Sequence, residues 1–217
     1  MTSTFRDAYA AACEESQTRP LAHVLEACEA AAGLESGAQL RCTGATPRLL
    51  DLDVQTIVRA LASGHSFAVL DFSHNHLGLD SAKALASLLA EDKTVKMLDL
   101  TGNDIDEHGV VLLCRALRSN RTLTELRLGG NSVRHEGGMA VAQLLQENDT
   151  LAHLHLPNAM LDTENLVAIS TVLHGNTSIV TLDVQRPLNL SLMEAVPDHF
   201  SRMLGVNRTL CDLDLSK

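Results

Sequence analysis

Apolar residues recur along this chain in two alternating rhythms, first every second residue and then every third or fourth, and the pair of rhythms restarts every 28 residues. Leu70, Leu98, Leu126, Leu154 and Leu182 stand at that step, and Phe72, Leu100, Leu128, Leu156 and Val184 repeat it two residues later. Asn75, Asn103 and Asn131 follow, and then Leu77, Ile105, Val133 and Leu161. A period of two predicts a strand and a period near 3.6 a helix. In the unit from Val95 to Thr122, Leu98 and Leu100 flank Asp99, so the strand has one apolar and one polar side, whereas Val110, Leu113, Cys114 and Leu117 share one helix face. A constant order of strand, turn and helix predicts parallel strands in one layer and helices in the other, each unit covering its neighbours.

The pattern loosens at both ends. Before the first regular unit, Leu40 and Cys42 read as strand positions and Ile57, Val58 and Leu61 as a helix face. After the fourth, a 31-residue unit contains Pro187 and Pro197 and leads into the strand start LCDLDLSK. Residues 37–217 are thus expected to hold six helix-bearing repeats, the first and last degenerate, and a seventh strand. Residues 1–36 do not follow the period and predict a helical N-terminal cap. Phe5, Tyr9 and Cys13 share one face of its first helix and Leu21, Val24, Leu25 and Cys28 one face of its second, with a boundary at Arg19-Pro20 and the proline in a first turn.

The pattern LxLxxNxL, followed by a helix with small residues near its start and leucine near its end, resembles the leucine-rich repeat of the ribonuclease-inhibitor type over roughly residues 39–217. The resemblance implies an α/β solenoid, a partial horseshoe with a concave parallel sheet and convex helices. It also implies that Asn75, Asn103 and Asn131 bridge backbone groups of successive turns. Ala159 and Pro187 hold that place in the next two units, so the bridging is expected to weaken there. The stretch FRDAYAAACEES, Pro20 and Val24-Leu25 resembles the helical segment preceding the repeats in ciliary and centrosomal members of this class.

Composition narrows the functions. The 217 residues are 45% hydrophobic but 2% aromatic, with 38 leucines, and no aromatic lies between Phe72 and Phe200. Leu, Ile, Val and Ala fill a narrow repeated slot that a ring would force open. This excludes sites built on aromatic platforms, such as RNA-stacking sheets and quaternary-ammonium cages. A formal charge of −10 with no segregated basic stripe argues against nucleic acid and anionic lipid. The five widely spaced cysteines form no metal or disulfide pattern and predict reduced thiols in a cytosolic or nuclear setting. Without a signal-like start or a long apolar run, the chain is expected to be soluble.

Side chains beside the core leucines point to the concave face. One column reads Arg41, Asp71, Asp99, Arg127, His155, Asp183 and Asp214, and its neighbour Gln39, Val69, Met97, Glu125, His153, Thr181 and Asp212. Parallel strands lie about 4.8 Å apart, so Asp71 beside Asp99 is a like-charge pair that a basic partner would relieve. Asp71, Asp99, Glu125, Arg127, His153, His155 and Asp183 are therefore the expected contacts for a protein partner. His153, His155 and Asp183 are a thin basis for a metal site and are read as surface groups. Five Asn-x-Ser/Thr sites, at Asn120, Asn148, Asn176, Asn189 and Asn207, are read as structural, four of them as helix C-terminal caps. Gly129-Gly130 and Gly137-Gly138 lack phosphate-loop spacing, and no catalytic constellation stands out. A non-enzymatic, cofactor-free interaction scaffold of a ciliary or other cytoskeletal assembly is the leading expectation. A small-GTPase regulator and an inhibitor of a basic enzyme are the alternatives; the first lacks the longer array and acidic tail, the second the many cysteines. The strand in LCDLDLSK, with no polar cap after it, is expected to offer a further contact, or else to continue into a longer chain.

Overall fold

The computed structural model describes residues 5–31, 37–188 and 196–216. The expected boundary at residues 36/37 falls at the edge of a segment, 32–36, that lies outside them. Two helices, α1 (Phe5–Ser16) and α2 (Ala22–Ala31), precede β1 (Ala38–Arg41), α3 (Asp51–Leu61), β2 (Phe67–Asp71), α4 (Leu79–Glu91), β3 (Met97–Asp99) and α5 (Glu107–Leu117). Then come β4 (Glu125–Arg127), α6 (Arg134–Glu147), β5 (His153–His155), α7 (Thr163–Leu173), β6 (Thr181–Asp183), α8 (Val196–Val206) and β7 (Asp212–Asp214). The seven strands form one open parallel sheet in sequence order. This is the two-layer array expected from the period, and the leucine-rich-repeat solenoid that the resemblance implies.

The two rhythms produce the two layers. Leu70, Leu98, Leu126, Leu154 and Leu182 are all fully buried and aligned as neighbours across the sheet. Val110, Leu113, Cys114 and Leu117 form the buried face of α5, and Ile57, Val58 and Leu61 lie on that of α3. At the N-terminal end α1 packs on α3 and α2 on β1. Tyr9 and Cys13 are buried, and Phe5 meets Phe67 edge-on at 5.0 Å. Pro20 precedes α2 rather than lying in its first turn, because the chain first bends so that the Leu21 N–H can donate to the Tyr9 hydroxyl at 3.1 Å.

Successive turns approach so closely that some positions exclude even a methyl group. A Cβ on Gly129 would lie 2.6 Å from Pro157 Cγ and 2.9 Å from the Pro157 carbonyl oxygen, which accepts from the Gly130 N–H. Gly129→Ala is expected to cost about 1–3 kcal/mol as overpacking, read as a lower urea midpoint at unchanged slope. Gly175→Ala, where a Cβ meets nothing within 4 Å, should leave the midpoint in place.

Candidate functional site

The register sets both expected columns side by side: Arg41, Asp71, Asp99, Arg127, His155, Asp183 and Asp214 are successive Cα partners, as are Gln39, Val69, Met97, Glu125, His153, Thr181 and Asp212. All seven expected contacts therefore share one sheet face. What the pattern did not reveal is how thoroughly the acids are engaged by their own chain.

The four aspartates of the first column, Asp71, Asp99, Asp183 and Asp214, each fold back on the backbone two residues ahead, the local bond that makes Asp a turn residue. Asp71 Oδ1 accepts from the Ser73 N–H at 3.0 Å and the Ser73 hydroxyl at 2.7 Å. Asp99 accepts from the Thr101 N–H at 2.9 Å, Asp183 from Gln185 at 3.1 Å and Asp214 from Ser216 at 2.9 Å. The second oxygens reach neighbouring turns. The Thr43 hydroxyl donates to Asp71 at 2.6 Å and the Gln185 amide to Asp214, while Arg127 Nη1 lies 3.6 Å from Asp99 Oδ2 and His155 Nδ1 lies 3.8 Å from Asp183 Oδ2. Burial alone would raise the Asp71 carboxyl, but the Thr43 and Ser73 hydroxyls, the Ser73 N–H and Arg41 outweigh it and hold it below the ordinary range. A depressed carboxyl stabilises the fold above its unfolded value of about 4, and this contribution is lost as pH falls through the folded value.

The Asp71–Asp99 repulsion expected from spacing is thus relieved within the chain, by Thr43 and Ser73 on one side and Arg127 on the other. Asp99 is only 7% exposed, and the guanidinium in front of it offsets its charge. Arg127 also donates to Glu125 Oε1, from Nε at 2.6 Å, and is 40% exposed. His155 Nε2 lies 3.8 Å from the same Glu125 oxygen. The centre of the face is a continuous run Asp99, Arg127, Glu125, His155, Asp183, held in place without a partner. Charges fixed in this way lose little freedom on binding.

Two rows of side chains hold the strands in register. Asn103 donates from Nδ2 to the Phe72 and Leu100 carbonyls, and its Oδ1 accepts from the Asn75 and Leu77 N–H groups. Asn75 and Asn131 repeat this with their own neighbours. In this role the row reaches as far as Asn131, since Ala159 and Pro187 have no amide to offer. The second row was not legible as such. Asn120, Asn148 and Asn207 are buried, and Asn176 is half-buried. Each reaches back to a carbonyl of the preceding unit: Leu89 for Asn120, Leu117 for Asn148, Leu145 for Asn176 and Leu173 for Asn207. Each also accepts from the N–H groups two and three residues ahead. They are cross-repeat bridges rather than simple helix caps, and the amide nitrogen of each is already a donor. The fifth such site, Asn189, lies outside the described residues.

Where the second row begins, Asp92 replaces asparagine and cannot donate. Its Oδ1 still accepts from Thr94 and Val95, and its Oδ2 lies 2.9 Å from His65 Nε2. His65 Nδ1 accepts from the Phe67 N–H at 3.1 Å, so the ring proton sits on Nε2 and donates to Asp92. Both side chains are under 10% exposed. With both nitrogens occupied, this buried histidine–carboxylate pair is a structural link and has no basic nitrogen left for catalysis.

Among the described residues no three His, Cys, Asp or Glu side chains converge as a metal site, and no helix is long and apolar enough to cross a membrane. All five cysteines are unbridged thiols. Burial pushes Cys42 and Cys114 up to about 12, which leaves them inert as nucleophiles.

A model of the leucine-rich repeat matches residues 65–86, 92–114 and 119–142, the three segments that contain Asn75, Asn103 and Asn131. No curated protein sequence matches the chain. Among solved structures it is similar to Leiomodin-1 Actin-Binding Site 2 (ABS2), with a TM-score of 0.57 and 22% identity over 71% of this chain and 88% of that one. At that identity the likeness is one of fold, and a fold of this kind serves many functions. The period, the single parallel sheet, the asparagine rungs and the matched segments together show the fold of a leucine-rich-repeat solenoid.

Proposed function

We propose that this chain is a non-enzymatic interaction module that docks a basic segment of a protein partner on its concave sheet face, as part of a cytoskeletal assembly. The observation that carries this reading is the face itself. Its two central columns hold six carboxylates and two guanidinium groups, and Asp71, Asp99, Glu125, Asp183 and Asp214 are engaged by bonds or ion pairs within the chain. Fixed charge of one sign favours and steers a partner of the other. Asp71, Glu125, Arg127, His153, His155 and Asp183 make the contacts, with Asp99 holding Arg127 in place.

The cytoskeletal part of the proposal is supported by the actin-binding region with which the chain shares its fold, and by the resemblance of its N-terminal segment to ciliary and centrosomal proteins. The 28-residue units, each with a helix, support assignment to the ribonuclease-inhibitor type. A cytoplasmic location, at a cilium or centrosome, follows from the same reading. The half-exposed Leu213 and the outer edge of β7 offer a second contact beside the concave face.

Co-sedimentation with filamentous actin and with microtubules tests the assembly, and binding of a fluorescein-labelled (Gly-Arg)6 peptide tests the face. Asp183→Lys with Asp212→Lys is expected to weaken peptide binding at least about tenfold at low salt while circular dichroism stays unchanged. Equal binding by the variant and the unaltered chain would remove the concave face from the proposal. Failure to pellet with either filament would remove the cytoskeletal assignment.

A further inference from the structure

Histidine is the side chain whose ordinary pKa lies nearest neutral pH, and the two histidines of this face are both on β5. His155 has Glu125 of β4 at 3.8 Å from Nε2 and Asp183 of β6 at 3.8 Å from Nδ1, with Arg127 as its Cα partner on β4. His153 is flanked in register by Glu125 and Thr181, and its Nδ1 lies 3.1 Å from the Thr181 hydroxyl. One strand further out are Met97 and Asp99 on β3 and Asp212 and Asp214 on β7. The helices lie behind the buried leucines, on the other side of the sheet.

Bonds from Ser216 and Gln185 hold Asp214 below its ordinary value, as Thr43 and Ser73 hold Asp71. With both imidazoles neutral, six carboxylates against two guanidinium groups leave the two columns at −4; with both protonated the net charge falls to −2. The placement matters as much as the count. Each ring nitrogen of His155 faces a carboxylate oxygen that an incoming cation would use, so an imidazolium competes for Glu125 and Asp183 from within the chain.

We propose that His153 and His155 form a proton switch on the docking face, which binds its basic partner at neutral pH and releases it as pH falls toward 6. The inference rests on the concave-face reading and adds its regulation. Linkage requires the reverse effect as well: a bound cation must make both histidines harder to protonate.

The test uses the same (Gly-Arg)6 peptide at constant ionic strength, read by fluorescence anisotropy. Between about pH 7.5 and about pH 5.8 the unaltered chain is expected to lose about tenfold in affinity, whereas His153→Gln with His155→Gln, which stays uncharged, should lose no more than about twofold. As a second measurement on the unaltered chain, saturating peptide should lower the NMR titration midpoint of the His155 ring. An equal loss of affinity in both proteins, or an unmoved midpoint, overturns the switch and leaves the docking face standing. No peptide binding at either pH overturns the docking face itself and the switch with it.

Discussion

Replacing Asn103 by leucine is expected to destabilise the chain by about 3–5 kcal/mol, a fall in Tm of about 10 °C for an array of this size. Asn103 is nearly inaccessible, and its amide serves at least four backbone groups. It accepts from Asn75 N and Leu77 N, each at 3.2 Å, and donates to Phe72 O at 3.0 Å and Leu100 O at 2.9 Å. Leucine is close in volume but meets none of these groups, and a buried backbone group without a partner costs about 1–3 kcal/mol. The gain from burying an extra apolar side chain offsets only part of that. Thermal and urea unfolding measure it, and a loss below about 1 kcal/mol would mean that water replaces the rung. Ala159 stands two units on in the same column, so Ala159→Asn, which restores an amide there, is expected to stabilise where Asn103→Leu destabilises.

Leu126→Ala is expected to cost about 3–4 kcal/mol. Leu126 is fully buried, and its sheet neighbours Leu98 and Leu154 are equally inaccessible. Backbones on both sides are tied at about the 4.8 Å strand spacing and cannot collapse into the vacated volume. Leu126→Phe should also destabilise, by about 1–3 kcal/mol, because a ring must push one of those neighbours outward. Urea midpoints at constant slope give both numbers, and a phenylalanine variant as stable as the parent would refute the narrow-slot account of the composition. Two of the chain's own rings lie toward its ends: Phe67 on β2 meets Phe5 of α1, and Phe200 is on α8 in the irregular last unit. Phe72 is the exception, fully buried within the array, where Asn75 ties its carbonyl to that of the smaller Cys42 in the preceding turn.

Much of the architecture was legible because the period is strict. A 28-residue step that brings Leu70, Leu98 and Leu126 into one column also fixes the strand register, so Asp99 opposite Arg127 could be read from spacing alone. The chemistry of the face was less legible. Spacing places Asp71 beside Asp99, but it does not show that each carboxylate turns back to the N–H two residues ahead and so becomes part of its own turn. The second asparagine row was hidden for a related reason. Asparagine at the end of a helix can cap that helix or reach the previous unit, and the two uses look alike in sequence. The available signal was that Asn120, Asn148 and Asn176 keep the same 28-residue step as Asn75 and Asn103. The His65–Asp92 link carried no such signal, because it occurs once and breaks the column.

The two rows differ in length, and that has a mechanical consequence. The row through Asn75, Asn103 and Asn131 stitches one margin of the sheet only as far as β4, whereas the row from the His65–Asp92 pair through Asn120, Asn148, Asn176 and Asn207 stitches the opposite margin as far as β7. The first half of the molecule has a seam on both margins and resists both bending and splaying. The second half keeps a side-chain seam on one margin only; on the other, backbone bonds such as Leu156 N–H to the Asp183 carbonyl and Asn158 N–H to the Gln185 carbonyl carry the load without asparagine rungs. His153, His155 and Asp183 lie in that half. Local opening under load is therefore expected to start at the rung-free margin beside β5 and β6, with the doubly stitched N-terminal half as the firmer mount.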